Sequence, residues 1–272
     1  MTLAKTFNKL DAKFLYPPGI SEDEKKTWDK YYAPRNAEFE KAKLTGKDLV
    51  RWRYNRYLHD YLGCIKAVDE NVGRMLDFLD KEKLTDNTIV VYASDQGFFL
   101  GEHGWFDKRW IFEESLRTPF IVRWPGIAKP GSTNADIVSN LDFAPTFLDA
   151  AGVPIPVDIH GKSLKPILAG KTPKDWRKSF YYHYYEYPGP HDVARHYGVV
   201  TDRYKLVRYY DSDNNYTELY DRKTDPQEMK DVHDDKNYAD IRKELETELA
   251  RLRTELKVPD PDPKEAAIPK GK

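Results

Sequence analysis

The run Thr88-Ile89-Val90-Val91-Tyr92-Ala93 constrains the fold of this chain more than any other segment. It is largely β-branched and apolar at both parities, so a strand built from it has no face suited to water. The Asp86-Asn87 turn signal precedes it, and a loop carrying three glycines follows it. Such a strand is expected to be buried and parallel, in a sheet covered by helices. The flanks agree. Residues 47–82 place Tyr57, Tyr61, Ile65, Val68, Val72, Met75 and Leu79 at steps of three and four, the stripe of a long amphipathic helix. Beyond the loop, Arg109–Ser115 reads as a short helix and Pro119–Trp124 as a second buried strand, stopped by Pro125-Gly126. Residues 142–151 read as a helix with Pro145 in its first turn. The expected class is α/β, with a mixed or parallel sheet flanked by helices.

After about residue 170 the pattern changes. Phe180–Tyr187, Gly198–Thr201, Tyr204–Tyr210 and Thr217–Tyr220 are short aromatic-rich segments separated by turn residues. They predict a small antiparallel sheet. Residues 236–257 predict a last helix with Ile241, Leu245, Leu249 and Leu252 on one face. The acidic residues from Asp211 to Asp235 read as a solvated face. The expected organisation is 1–170 for the α/β part, 171–258 for a small α+β subdomain, and 259–272 for a frayed tail. Residues 1–46 are polar, with a Pro17-Pro18-Gly19 turn and no continuous apolar stretch of the kind a secretory signal needs.

Composition excludes several classes. The 44 Lys and Arg nearly balance 45 Asp and Glu, a formal net charge of -1, which argues against a basic nucleic-acid surface. A hydrophobic content of 40% is enough for a sizeable core. No apolar run approaches the roughly 18 residues that span a bilayer. Cys64 is the single cysteine, which excludes an internal disulfide and a Cys-rich zinc site.

The segment from Ser94 to Lys108 carries the candidate chemistry. It follows the carboxyl end of a strand, where open α/β sheets bind ligands. Asp95 and Gln96 offer oxygen ligands that suit a hard cation such as Ca²⁺ or Mg²⁺. Gly97, Gly101 and Gly104 allow tight turns. His103 and Lys108 offer a proton donor and a fixed cation, the partners an anionic substrate needs. Each residue also has a plainer reading: Asp95-Gln96-Gly97 as a turn, His103 as a satisfied loop residue, Lys108 as an ordinary loop lysine.

The order of motifs adds to this. Asn87 through Gly97, Gly101-Glu102-His103-Gly104, Lys108, Phe112-Glu113-Glu114-Ser115, Arg117-Thr118-Pro119 and Trp124-Pro125-Gly126 resemble the type I sulfatases of the alkaline phosphatase superfamily. So do Val68–Arg74, Asp142–Thr146, His160–Leu164, and Glu218–Asp221 with Asp225–Glu228. The resemblance covers about residues 50–255, in the family's order. It implies a sulfuric ester hydrolase, of the arylsulfatase and carbohydrate-sulfatase kind. It implies Ca²⁺ held partly by Asp95 and Gln96, with Lys108 at the sulfate and nucleophile and His103 near the sulfate or the sugar. Asp107 and Arg109 become candidates for reading substrate hydroxyls. Tyr182–Tyr187, His191 and Arg195–Gly198 resemble the subdomain that closes the sugar pocket, with His196 the preferred candidate there. For His183, cross-strand aromatic packing is an equal reading. The implied partner is a sulfated carbohydrate, of the N-acetylglucosamine-6-sulfatase type, and the implied compartment is periplasmic, secreted or lysosomal.

The sequence departs from the family at the nucleophile. Sulfatases convert the cysteine of a Cys-x-Pro/Ala-x-Arg motif to formylglycine. Cys64 stands in Leu62-Gly63-Cys64-Ile65-Lys66-Ala67, without the following Pro and Arg, and reads as a small core hydrophobe. The Asp-Asp metal pair of the first strand is also missing. The chain thus corresponds to the C-terminal half of a sulfatase with an incomplete calcium site, working with a missing N-terminal half or another chain. The competing expectations are a non-catalytic module that binds sulfated glycans or pairs with a subunit, and a phosphodiesterase or phosphonate hydrolase of the same superfamily.

Overall fold

A computed structural model describes residues 19–187, 191, 193–211 and 215–259. Pro17 and Pro18 of the expected first turn and the tail from 260 onward lie outside the described residues. The chain forms two compact units. One is drawn from the residues up to Lys83 together with Leu100–Phe106. The other is drawn from Leu84–Phe99 and the chain from Asp107 onward.

The first unit is a helix pair, α1 (Glu22–Ala42) and α2 (Gly46–Lys81). Ser21 starts α1 with a capping box: its Oγ accepts from the Glu24 amide, and the Glu24 carboxylate accepts from the Ser21 amide. Lys43 ends α1 in the left-handed conformation. Trp52 stacks on Phe39 with ring centroids 4.0 Å apart, and Arg56 reaches Asn36 Oδ1 at 2.6 Å. The predicted bounds of α2 agree with those observed, but its environment does not. No described residue of either helix is buried, and Ile65, Val68 and Met75 of the expected stripe are exposed. Cys64 is exposed too, so it is not a core hydrophobe.

In the second unit, β1 (Val90–Ala93) pairs with β2 (Phe120–Arg123), and α3 (Glu113–Leu116) lies between them in sequence. The pairing is antiparallel, with Val90 opposite Arg123 and Ala93 opposite Phe120. The expected parallel, fully buried strand is therefore corrected. An all-apolar run sets the demand for burial, whereas direction depends on how the connecting chain returns. Tyr92 and Ile121, opposite each other in the register, are both exposed. Downstream come α4 (Phe143–Ala150) and α5 (Lys165–Leu168). They are fixed by Asp142, which is fully buried and accepts from Nη1 and Nη2 of Arg177 as well as from the amides of Ser139 and Lys162.

The predicted antiparallel sheet is present as a meander of β3 (Ser179–Tyr184), β4 (His196–Thr201), β5 (Tyr204–Tyr209) and β6 (Thr217–Asp221). Strand alternation sorts its residues onto two faces. Val199, Leu206 and Leu219 pack against Leu245, Leu249 and Leu252 of α6 (Ala239–Glu255). Val200, Val207 and Tyr209 pack against Ile111 and Ala194. The loop that carries residues 107–111 therefore rests on the face opposite α6. Gly198 permits this close approach, because a Cβ there would collide with the Leu206 carbonyl and lie 2.8 Å from Ile111 Cδ1.

The acidic stretch 211–235 is not simply a solvated face. Asp211, Asp221 and Glu228 are buried, and each is paired: with Arg195 at 2.5 Å, Arg203 at 2.7 Å and Lys205 at 2.5 Å. A buried carboxylate without such a partner would be costly.

Candidate functional site

The strand tip after β1 is held from two sides. The Asp95 carbonyl accepts from Asn140 Nδ2 at 3.1 Å, and the Gln96 carbonyl accepts from Ser94 Oγ at 2.7 Å. The Gly97 amide donates to the Ser115 carbonyl at 2.7 Å. No side chain fits at Gly97, since a Cβ would collide with the Glu114 carbonyl. Ser115 Oγ in turn donates to the Lys108 carbonyl. One buried serine of α3 thus fixes the main chain at both the strand tip and the candidate lysine.

Asp95 is exposed and Gln96 half-buried. Two consecutive oxygen donors fit a hard cation as part of a shell, and Ca²⁺ takes roughly six to eight oxygens. Among the described residues, no group of three or more His, Cys, Asp or Glu is placed to hold a metal. These donors fit a metal site that other residues would complete.

Asp107, Lys108 and Arg109 are consecutive and half-buried. Asp107 has φ 115°, a value L residues rarely adopt, and its carboxylate pairs with Arg109 Nη1. Arg109 Nε also faces Glu186 Oε2 at 3.7 Å. That oxygen accepts from the Tyr184 hydroxyl at 2.9 Å, and His191 Nδ1 lies 3.5 Å from it. The Tyr184 hydroxyl holds the Glu186 carboxyl below its usual range, against the effect of burial, with His191 and Arg109 adding to the lowering. Tyr182, whose hydroxyl is pushed up to about 12 by burial, donates to the Arg109 carbonyl at 3.0 Å. The Asp107–Arg109 pair is therefore set at the end of β3 by both main-chain and side-chain bonds.

His196, on β4, is fully buried. Trp110, Tyr182, Tyr184 and Tyr209 surround its ring, with centroids 5.4–5.6 Å away. Nδ1 meets the Ala194 carbonyl at 2.8 Å, so Nδ1 carries the proton. Nε2 has no hydrogen-bond partner among the described residues. Burial lowers its pKa to about 4, which keeps the ring neutral. His183 differs. Its Nδ1 and Nε2 lie 2.7 and 2.8 Å from the Tyr181 and Tyr210 hydroxyls, and it stands opposite Tyr197 in the β3–β4 register. Of these, Tyr197 is the cross-strand neighbour, Tyr181 lies on the same strand and Tyr210 directly follows β5.

His103 belongs to the first unit. It has φ 55°, between Gly101 at 126° and Gly104 at 72°, and its half-buried ring stacks on Trp105. The glycines of the Gly-Glu-His-Gly loop are thus required by backbone conformation. The structure joins Asp107 to Arg109 and Arg109 to Glu186, holds Lys108 beside them by its main-chain carbonyl, and brings His196 beside Trp110. Sequence reading passes over Glu186 and Ser115. A lone acid in an otherwise aromatic Tyr/His segment was a usable signal for Glu186. Ser115 stands in the Phe112-Glu113-Glu114-Ser115 motif, but nothing local marks its bonds to Gly97 and Lys108.

Comparison with known proteins gives these features a context. The chain superimposes on a solved structure described as a complex with its substrate D-glucosamine-2-N,6-O-disulfate, with a TM-score of 0.90 and 48% identity over 97% of this chain and 57% of that one. It also matches the phosphonate monoester hydrolase of Silicibacter pomeroyi, with a TM-score of 0.69 and 27% identity over 79% and 43% of the two chains. The fold is part of the alkaline-phosphatase-like fold of sulfatases. The sulfatase family model matches residues 16–153, and the model for the C-terminal region of N-sulphoglucosamine sulphohydrolase matches residues 101–255. The chain belongs to the sulfatase family. It is 51% identical to the N-acetylglucosamine-6-O-sulfatase of Bacteroides thetaiotaomicron over 99% of its own length and 48% of that protein's. It spans about half the length of that relative. Metal and formylglycine are features of this family. No helix among the described residues is long and apolar enough to cross a membrane.

Proposed function

We propose that this chain is the C-terminal portion of a carbohydrate sulfatase that hydrolyses a 6-O-sulfate ester on an amino sugar. The observation that carries the reading is the Asp107–Arg109–Glu186 array beside the aromatic nest of His196. A sugar offers hydroxyls that both donate and accept, and an adjacent carboxylate and guanidinium, rigidly held, answer both. Arg109 donates to substrate oxygens, Asp107 accepts from hydroxyls, and His196 shapes the wall behind them. Lys108 offsets the charge of the sulfate, which grows at the leaving oxygen as the S–O bond breaks. His103, assigned from its motif alone, supplies a proton to the departing sugar oxygen.

Asp95 and Gln96 are the proposed ligands for Ca²⁺, their remaining partners coming from residues outside this chain. Bound there, the ion would neutralise sulfate charge. The nucleophile is proposed to be the family's formylglycine, likewise from outside this chain. In the same reading, residues 1–170 belong to the α/β domain and 171–258 to a subdomain that closes the sugar pocket.

The test is sulfate release from N-acetylglucosamine 6-sulfate by the complete protein carrying this sequence, read by ion chromatography, beside a phosphonate monoester. Sulfate release is expected. Turnover of the phosphonate ester alone would reassign the reaction. Binding of the sulfated sugar without release would leave the glycan-binding alternative.

A further inference from the structure

Beneath α3 lies a buried charged cluster that the proposed reaction does not use. Lys205, on β5, has no exposed side-chain surface, and its Nζ lies 2.5 Å from Glu228 Oε1 and 3.4 Å from Glu113 Oε1. Glu228 Oε2 accepts the Glu113 amide at 2.9 Å, and Arg222 Nη1 meets Glu113 Oε1 at 2.6 Å. Glu228 holds this place with φ 52°, in the left-handed region. Three charged groups, Lys205 of β5, Arg222 just after β6 and Glu228 of the 225–228 turn, thus converge on Glu113, the first residue of α3.

The position is a costly one for a lysine. Burial opposes its charge and the carboxylates favour it, the same conflict that raises Glu228. Packing alone would be served as well or better by apolar residues. What the charges add is a directional clamp on a four-residue helix too short to hold itself. That helix is the one whose Ser115 binds the Gly97 amide through its carbonyl and the Lys108 carbonyl through its hydroxyl. Every link runs within one compact unit.

We propose that the buried Lys205–Glu228 pair, acting through Glu113, is a positioning element that sets the Asp95-Gln96 tip and Lys108 relative to each other. The proposal rests on the reading of those three residues as site residues. Lys205 and Glu228 touch no substrate in it; they act through α3.

Two variants of the complete protein test it, Lys205→Met and the milder Glu113→Gln, which keeps the Glu113 amide bond to Glu228. Each is assayed well below its melting temperature for kcat and KM on N-acetylglucosamine 6-sulfate. Each is also followed by amide hydrogen exchange at Gly97 and across 107–116. Displacing reacting groups by about 1 Å costs on the order of 100-fold in rate. A kcat loss of about that size is expected for Lys205→Met, with a smaller loss for Glu113→Gln, and with faster exchange at Gly97 in both. If Lys205→Met fails to fold, Glu113→Gln decides on the same readouts. A lowered melting temperature with unchanged kcat and unchanged Gly97 exchange would overturn the proposal, since a merely structural pair behaves in that way. A wild type that releases no sulfate would sink the functional reading instead, and the exchange comparison would still decide the positioning role.

Discussion

The β3–β6 sheet and helix α2 both carry clear apolar patterns, yet among the described residues only the sheet has members of its pattern that are buried. Leu206, Leu219 and Val199 meet α6 on one side of the sheet, and Val200, Val207 and Tyr209 meet Ile111 and Ala194 on the other. The stripe of α2 meets water at Ile65, Val68 and Met75. Periodicity states which residues need cover; it does not state that the cover lies in the same chain segment. The sheet should therefore hold stability that the helix pair does not, and the difference can be measured.

The largest effect is expected at the centre of the sheet. Leu206→Ala should destabilise the second unit by about 3–4 kcal/mol in chemical denaturation, from lost burial plus the cavity left behind. A loss below about 1 kcal/mol would mean that the two-sided packing is loose.

The next effect is a pH dependence from His196. Burial lowers its pKa from 6.5 to about 4, so the unfolded chain binds the proton more readily than the folded one. The stability contributed is present in full above the unfolded value near 6.5 and is lost as pH falls from there toward 4. Wild type should lose about 2–3 kcal/mol more than His196→Gln across that window, from the size of the shift alone. Parallel stability–pH curves for the two proteins would show that His196 titrates normally.

Gly198→Ala comes third, with an expected cost of about 1–3 kcal/mol from overpacking against Leu206 and Ile111. Because Ile111 lies two residues beyond Arg109, the same variant should raise KM for the sugar. The smallest effect is expected on α2, where Met75→Ala should change stability by no more than about 0.5 kcal/mol. A cost as large as that at Leu206 would erase the contrast between the two regions.

The same contrast explains what could be read from the residues alone. The four strands of the C-terminal region were legible because short aromatic-rich runs are separated by turn residues, and the last helix because Ile241, Leu245, Leu249 and Leu252 fall on one face. Val90–Ala93 was legible as a strand but not in its direction, because an apolar run at both parities fits either neighbour arrangement. At the site, Asp107-Lys108-Arg109 and Asp95-Gln96 were visible as a motif. Glu186 left a signal that the reading passed over, and the roles of Ser115 and the Lys205–Glu228 pair left none, because their meaning lies in contacts across longer sequence separations, such as Glu113 with Glu228. Acidic residues such as Asp211 and Asp221 look alike in sequence whether solvated or buried, and only the arginine opposite distinguishes them.

The most direct test of the central claim is the turnover of Lys108→Ala on N-acetylglucosamine 6-sulfate in the complete protein. Ser115 holds Lys108 by its carbonyl, so the substitution removes the ammonium and leaves the main-chain anchor in place. A fall in kcat of about 100-fold or more is predicted, with the melting temperature unchanged. Turnover close to wild type, in a protein equally well folded, would contradict the assignment of Lys108 and with it the placement of the sulfate.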